Sequence, residues 1–327
     1  MRADALRAEA WAGEPFLHSD EDPEAVLAPG TARRRALDDA LAEIAAGLQA
    51  PSSEWKVRYA LMLGLERVLT ERPPRLASGT ELRRHQIDAL AGMLTELIAA
   101  VQKSENGNGN GHTNGNGEET ADEDDEPEDE LGLATDAEGE EGDEDDLPLP
   151  VEQDPGSIRR YRFRHPTASG KTIAAAGFVE AARTEGVLIL THRRLLVDQF
   201  RRELTEHGYR ERLTEAILTG HTAKRPDAPI TIQTYAWFAR HDNEIARDAY
   251  QLVICDEAHT ALGEKTSAAI RRLSEPIYVG MTATEELIAK QVSDVFPASV
   301  DDLPLTDAGK TSETCFAISS SVAVMPT

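Results

Sequence analysis

Two short segments of this chain combine residue types that could bind a phosphorylated ligand. The first spans residues 165–172, reads His-Pro-Thr-Ala-Ser-Gly-Lys-Thr, and ends in Gly170, Lys171 and Thr172. A glycine lets the backbone approach a phosphate closely, a lysine can reach the β- and γ-phosphates, and a threonine hydroxyl can ligate Mg²⁺. The pattern G-x-x-x-x-G-K-[ST] is not complete, because His165 stands in place of its first glycine. The segment predicts a phosphate-binding loop, with a surface turn before a helix as the alternative.

The second segment is Asp-Glu-Ala-His at residues 256–259, directly after an apolar run. In open α/β sheets, ligands bind at the carboxyl ends of the strands. Asp256 would then hold Mg²⁺, Glu257 would orient or deprotonate an attacking water, and His259 would couple this site to the opposite side of the cleft. A strand-end turn with solvated carboxylates is the alternative, but it leaves the order of the two segments unexplained. Together the segments predict binding of a nucleoside triphosphate.

Strands and helices must bring the two segments together. Residues 160–164 alternate Arg with Tyr and Phe, as a strand would, and residues 173–183 follow with a helical pattern. We predict an α/β fold with a mainly parallel sheet and helices on both faces. Its strands are expected at about 160–165, 187–191, 229–234, 252–256 and 277–282. Lys171, Asp256 and Thr282 should meet at the carboxyl ends of these strands.

Further segments resemble motifs of superfamily 2 DEAD/DEAH-box helicases, in the order that the family shows. They are residues 83–86 (the glutamine motif), 188–199 (motif Ia), 231–235 (a strand end that touches the nucleic-acid backbone), 256–259 (motif II, spelled as in the DEAH group) and 280–284 (motif III). The chain therefore resembles the first RecA-like domain of a helicase or translocase, closer to the restriction-enzyme and XPB-like branch than to the RNA-directed branch. His165, Ala168 and Glu285 depart from the family pattern.

The resemblance implies a RecA-like P-loop NTPase fold that uses ATP and Mg²⁺. ATP would be held by Gln86, Thr167, Ala168, Ser169, Gly170, Lys171 and Thr172. The metal would be ligated by Thr172 and Asp256, and the catalytic residues would be Asp256, Glu257 and His259. Nucleotide state would be coupled to nucleic acid by Thr282 and Thr284. The phosphates of a single strand would be contacted by Thr191, Arg193, Gln233 and Thr234. On the residues alone, a solvated helix start is the less favoured alternative for Arg193 and Arg194. For Thr282 and Thr284, a polar strand end is as well supported as a coupling role.

The composition divides the chain unevenly. Residues 104–149 contain 19 carboxylates and no Lys or Arg, so they account for most of the net charge of −25. Such a segment cannot bury enough apolar surface to offset its ordering entropy, and we expect it to be disordered. A solubilising spacer is favoured, and a phosphate mimic or a site for a basic protein is the alternative. The expected units are a loose N-terminal segment (1–31), a helical region with the glutamine motif (32–103), the acidic insert (104–150), the RecA-like ATP-binding domain (151–308) and an atypical C-terminal tail (309–327).

The leading interpretation is the ATP-binding domain of a helicase or translocase that acts on nucleic acid, with DNA favoured over RNA. Whether the chain is an enzyme is uncertain from the sequence, because no motifs of a second RecA-like domain follow residue 310. We expect a truncated, frameshifted or split product, with the second domain supplied in trans. The alternative is a non-catalytic ATP-binding or nucleic-acid-binding module that works through a partner. Two cysteines and the lack of a membrane-spanning run predict a cytoplasmic protein without a membrane partner.

Overall fold

The computed structural model describes residues 1–106, 154–164, 171–220, 226–282 and 292–300. Within these residues, the central element is a six-stranded sheet whose neighbouring strands are all parallel. The strands are β1 (Arg160–Arg164), β2 (Val187–Thr191), β3 (Ile230–Thr234), β4 (Leu252–Asp256), β5 (Ile277–Thr282) and β6 (Ala298–Val300). Their order across the sheet is β3-β2-β4-β5-β1-β6.

Helices precede the sheet in the chain and also connect its strands. They are α1 (Arg2–Ala12), α2 (Pro23–Val26), α3 (Ala32–Ala45), α4 (Ser53–Trp55), α5 (Leu61–Thr70), α6 (Arg84–Asn106), α7 (Lys171–Ala181), α8 (Arg194–Glu206), α9 (Tyr235–His241) and α10 (Glu264–Arg272). A π-helical turn at Lys56–Ala60 joins α4 to α5. A short 3-10 helix, Ala258–Leu262, follows β4.

Both faces of the sheet are covered by helices. Ile189 and Ile254 belong to a cluster with residues of α5, α6, α7 and α8, whereas Leu190 and Val253 belong to a second cluster with α9 and α10. Alternate residues of a strand point to opposite faces, so an apolar run is needed wherever both faces are buried. Each fully buried aliphatic side chain of this kind contributes about 1.5–3 kcal/mol.

The predicted fold class is confirmed, as are the five predicted strands, whose ends lie within one residue of the expected positions. β6 was not predicted. It is three residues long and pairs with β1 through Tyr161, Arg162 and Phe163. A segment of three residues is too short to show an alternation of apolar and polar residues. Its extended conformation goes with its pairing to the edge of β1.

Residues 1–31 differ from the loose segment that the sequence predicts. They include α1, whose residues Ala5, Ala8 and Ala12 are buried, and Phe16 and Leu27 are fully buried. The three alanines recur every three or four residues and form one flat helix face. Alanine contributes little to an apolar pattern, so this face is easily mistaken for a polar segment.

Buried ion pairs attach the N-terminal segment to the sheet domain. The Glu14 carboxylate is fully buried and accepts hydrogen bonds from Nε of Arg67 and Nε of Arg183, both at 2.9 Å. Arg67 also contacts Glu180 of α7, with 3.1 Å between Nη1 and Oε1. Burial raises the pKa of Glu14, and the two arginines oppose that rise. Removing either arginine would leave the Glu14 carboxylate buried with less compensation for its charge. The contacts of Arg67 with Glu14, after α1, and with Glu180 of α7 therefore hold α5 against both helices.

α5 and α7 approach each other closely at a glycine. A Cβ atom placed on Gly64 would lie 1.9 Å from the carbonyl oxygen of Ala181. Only a residue without a side chain allows this contact between helix backbones. The N-terminal helices therefore pack directly on the helix that begins at Lys171.

Some predictions fall outside the described residues. They are the acidic insert at 104–150 apart from its first residues in α6, the tail at 309–327, and the loop residues Thr167, Ala168, Ser169 and Gly170 together with Thr284. The division of the chain into five units stays a prediction. Among the residues that the structure describes, no helix is both long enough and apolar enough to cross a membrane.

Candidate nucleotide site and nucleic-acid path

The carboxyl ends of the parallel strands gather the predicted site residues at one edge of the sheet. Asp256, the last residue of β4, pairs with Met281 of β5 and so lies beside Thr282. On the other side of β4, Thr191 of β2 pairs with Thr234 of β3. Crevices at this edge are where open α/β sheets bind ligands. The predicted convergence of motifs II and III is therefore confirmed.

Lys171 and Glu257 form an ion pair across this edge. Lys171 is the first residue of α7, and its Nζ donates to Oε1 of Glu257 at 2.5 Å. The side chains are 11% and 24% exposed, respectively, so solvent screens the pair only partly. Thr172 follows in the first turn of α7 and is partly buried. The start of α7 thus presents a cation that is paired with a carboxylate of motif II.

Asp256 is nearly buried, and its surroundings disfavour its charge. Burial raises the pKa of its carboxyl to about 6, and the neighbouring charge of Glu257 acts in the same direction. Lys171 opposes the rise. A cation placed beside this carboxylate would offset the desolvation and the repulsion, which is the environment that a metal-binding carboxylate has before its metal arrives.

Glu257 has a left-handed backbone conformation, with φ 49° and ψ 57°. This conformation is uncommon for a residue with a side chain and persists where neighbouring contacts fix it. On its carboxyl side, the Glu257 carbonyl accepts hydrogen bonds from the main-chain N–H and the hydroxyl of Thr260, both at 2.8 Å. The two adjacent carboxylates remain close enough for the charge of Glu257 to raise the pKa of Asp256.

His259 connects motif II to motif III. Its Nδ1 lies 3.3 Å from the Thr282 hydroxyl oxygen and 3.6 Å from Oε2 of Glu257. The imidazole therefore lies between Glu257, which directly follows β4, and Thr282, the last residue of β5. The contact between His259 and Thr282 was not itself predicted, and the coupling role of Thr282 stays a prediction.

The available ligands suit Mg²⁺ bound together with a nucleotide. In the described part of the chain, no three His, Cys, Asp or Glu side chains come together as a self-contained metal site. Mg²⁺ is commonly held by one or two carboxylates together with phosphate oxygens and water, so such a cluster is not required. Asp256 supplies the carboxylate, and Thr172 supplies a hydroxyl at the start of the helix that follows the loop. These residues fit a Mg²⁺ ion that arrives with ATP.

The residues predicted to contact a nucleic-acid strand differ in their access to solvent. Arg193 is exposed immediately before α8, and Gln233 and Thr234 are partly exposed at the end of β3. Thr191 is fully buried, and its hydroxyl donates to the carbonyl of Arg193 at 3.0 Å. The structure therefore does not support a direct side-chain contact by Thr191. Its hydroxyl instead fixes the turn that presents Arg193.

Gln86 is also buried, in the first turn of α6. Its Oε1 accepts a hydrogen bond from the main-chain N–H of Arg83 at 2.8 Å. This is the backward contact by which a glutamine stabilises the start of a helix. The structure does not support direct reading of adenine by Gln86, because its side chain has no accessible surface in this conformation.

One residue beside the site was not predicted from the sequence. Tyr235 follows Thr234 directly, is only 5% exposed, and donates its hydroxyl to the main-chain carbonyl of Asp256 at 2.8 Å. An aromatic residue next to a strand end is usually part of the core, and Tyr235 was therefore not assigned a role. Its position after a predicted nucleic-acid contact was the available signal.

Comparisons with known proteins agree with these motifs. Residues 80–287 match the family described as type III restriction enzyme, res subunit. A relative from Halobacterium salinarum carries the name DNA 3'-5' helicase Rad25. It is 31% identical over an alignment of 163 residues that covers 45% of this chain and 25% of the relative. The match thus spans about a quarter of that relative's length.

Solved helicase structures show weaker similarity. The UvsW helicase from bacteriophage T4 is 16% identical with a TM-score of 0.34, and 44% of this chain aligns with 54% of it. The Hef helicase domain from Pyrococcus furiosus is 19% identical with a TM-score of 0.35, and 44% of this chain aligns with 35% of it. The family match covers more than half of the chain and includes both motif segments. The chain belongs to the family of type III restriction enzyme res subunits.

Proposed function

We propose that this chain binds ATP with Mg²⁺ and couples the bound nucleotide to a strand of nucleic acid, as the first RecA-like domain of a helicase or translocase. The observation that carries the proposal is the convergence of Lys171, Asp256 and Glu257 at one sheet edge, with His259 linking them to Thr282. Membership of the family supports an ATP-dependent function, and the name of the Rad25 relative supports DNA over RNA.

The residues have separate tasks in binding the nucleotide. Lys171 leaves Glu257 and donates to the β- and γ-phosphates, as the lysine of a phosphate loop does. Asp256 and Thr172 would hold Mg²⁺, which would neutralise charge on the phosphates when bound. Glu257, once released from Lys171, accepts a proton from the attacking water. His259 and Thr282 transmit the resulting change toward the neighbouring strand.

The strand of nucleic acid would lie along the same sheet edge, at the carboxyl ends of β2 and β3. Arg193 donates to its phosphates, and Gln233 and Thr234 add polar contacts at the end of β3. Phosphate contacts of this kind carry little sequence information. They neutralise few charges, so the affinity should be modest and should fall as the salt concentration rises. A second RecA-like domain or a basic protein acting in trans belongs to the same proposal.

Binding measurements on a charge-deletion variant test the nucleotide site. Lys171→Ala removes a charged hydrogen bond, so the affinity for Mg²⁺·ATP should fall about 10- to 100-fold. Lys265→Ala is the matched control, because Lys265 is exposed on α10 and faces no part of the site. Both variants are compared with the parent by titration of a fluorescent ATP analogue. Equal affinity of Lys171→Ala and the parent would refute the nucleotide site.

A turnover assay separates the two functional hypotheses. ATP hydrolysis by the chain is measured with and without single-stranded DNA, under conditions that allow many turnovers. Stimulated hydrolysis supports an ATP-driven helicase or translocase domain. Tight ATP binding without any turnover supports the non-catalytic module that acts through a partner.

A further inference from the structure

Tyr235 connects the end of β3 to motif II. It is the first residue of α9, and its ring lies in the apolar cluster between the sheet and α9. Its hydroxyl donates to the main-chain carbonyl of Asp256, the last residue of β4, at 2.8 Å. Burial raises the pKa of this hydroxyl well above its ordinary value, so Tyr235 remains a hydrogen-bond donor at neutral pH.

The peptide that Tyr235 contacts lies between the two carboxylates of motif II. The Asp256 carbonyl belongs to the peptide group that leads into Glu257, whose φ is 49°. Thr260 fixes the peptide group on the other side of Glu257 through two hydrogen bonds of 2.8 Å. Tyr235 therefore supplies the restraint on the amino side of a left-handed residue that needs restraints on both sides.

The opposite end of this contact lies in the proposed nucleic-acid path. Thr234 precedes Tyr235, and its hydroxyl oxygen accepts from the main-chain N–H of Trp237 at 3.2 Å, which caps α9. A phosphate bound at Thr234 would accept from its hydroxyl, while the hydroxyl oxygen still accepts from the Trp237 N–H. The bound strand would therefore hold the first turn of α9, and with it the Tyr235 hydroxyl at the carbonyl of Asp256.

We propose that Tyr235 is a positioning residue that couples a strand bound at Gln233 and Thr234 to the orientation of Glu257. The inference rests on the proposed function, since it needs both ligands. It assigns a route distinct from the contact between His259 and Thr282, because β5 and β3 lie on opposite sides of β4 in the sheet. The orientation of motif II thus depends on Tyr235 from the side of β3 and on Thr282, through His259, from the side of β5.

The test is the coupling between two binding equilibria in the variant Tyr235→Phe, which loses one oxygen and keeps its ring. The affinity for a non-hydrolysable ATP analogue with Mg²⁺ is measured with and without oligo-dT, and the ratio of the two affinities is the coupling factor. We expect a factor of about five or more in the parent and below about two in the variant. A general loss of affinity or stability cancels in this ratio.

Tyr278→Phe is the matched control. Tyr278 is also buried, and its hydroxyl donates to the main-chain carbonyl of Leu273 at 2.6 Å, away from motif II. This variant loses an equivalent hydrogen bond and should keep the coupling factor of the parent. Melting temperatures of both variants show whether their losses of stability are comparable.

The outcomes separate this inference from the proposed function. A parent that binds neither ATP nor oligo-dT refutes the proposed function, and the coupling route with it. A parent that binds both ligands but shows no coupling overturns the inference alone. So does a Tyr235→Phe variant with the coupling factor of the parent, or a Tyr278→Phe variant with an equal loss.

Discussion

The ion pair between Lys171 and Glu257 should compete with ATP, and Glu257→Gln tests this competition. In the proposed site, the phosphates and the Glu257 carboxylate require the same ammonium group, which lies 2.5 Å from Oε1 of Glu257. Glutamine keeps the shape of the side chain and removes its charge. We expect the variant to bind ATP more tightly than the parent while hydrolysing it more slowly, because the base for the attacking water is lost.

The size of the effect follows from the exposure of the pair. Exposed ion pairs contribute about 0.2–1 kcal/mol, and hydrogen bonds to charged groups contribute about 1.5–3 kcal/mol. With side chains 11% and 24% exposed, the pair lies between these cases. A contribution of about 1–2 kcal/mol corresponds to ATP binding that is roughly 5- to 30-fold tighter in the variant. The same free energy stabilises the nucleotide-free fold, so its melting temperature should fall.

Two measurements with opposite signs make the prediction specific. Glu257→Gln should lower the melting temperature without nucleotide and raise the affinity for Mg²⁺·ATP, measured by calorimetry. Glu264→Gln serves as the control, because Glu264 is exposed at the start of α10 and should change neither quantity. If Glu257→Gln lowers both quantities, Glu257 assists ATP binding and the competition argument is refuted.

Two further predictions concern stability. Gly64→Ala should lower the free energy of unfolding by about 1–3 kcal/mol in urea, because its Cβ meets Ala181, whereas Gly263→Ala, with open space around it, should not. Burial raises the pKa of Glu185 to about 8, above its ordinary 4.5. The folded state therefore keeps the proton to a higher pH than the unfolded state does. The resulting stabilisation is fully present below pH 4.5 and is lost as the pH rises toward 8. Glu185→Gln should therefore remove as much as about 4 kcal/mol of the pH dependence of unfolding between about pH 5 and 8. Parallel curves for variant and parent would show that Glu185 titrates normally.

The parallel sheet could be predicted because its strands are buried on both faces. Residues 187–191 and 252–255 are short apolar runs, and the fold requires such runs wherever helices cover both sides. The carboxylate at 256 then marks the end of its strand. β6 at 298–300 lacked any signal of this kind, since pairing with β1 determines its conformation.

Residue types at the site could be predicted, whereas their accessibility could not. The positions of Lys171 and Glu257 followed from the motifs, but the motifs did not predict the direct hydrogen bond between their side chains. Gln86 and Thr191 match family positions and are nevertheless buried, with hydrogen bonds that stabilise a helix start and a turn. Whether a polar side chain faces a ligand or its own backbone depends on packing around it, which a motif does not record.

The N-terminal segment was unpredictable because its buried contacts are distant in sequence. Glu14 binds Arg67, 53 residues away, and Arg183, 169 residues away. A lone glutamate among charged residues is typical of a solvated surface. Only the folded arrangement shows that two arginines surround it, and no local pattern indicates a pairing over such a separation.

Motif II is contacted from three directions, two of which lead to the proposed binding sites for phosphate and for nucleic acid. Lys171 reaches Glu257 from the start of α7, where a phosphate would bind. His259 connects it to Thr282 on one neighbouring strand, and Tyr235 approaches from the side of the nucleic-acid path. Glu257 has a left-handed backbone conformation, which persists where surrounding contacts fix it, so we expect loss of one contact to affect the others. Binding at the phosphate site and binding at the end of β3 are therefore expected to influence each other through this residue, by equal factors in both directions.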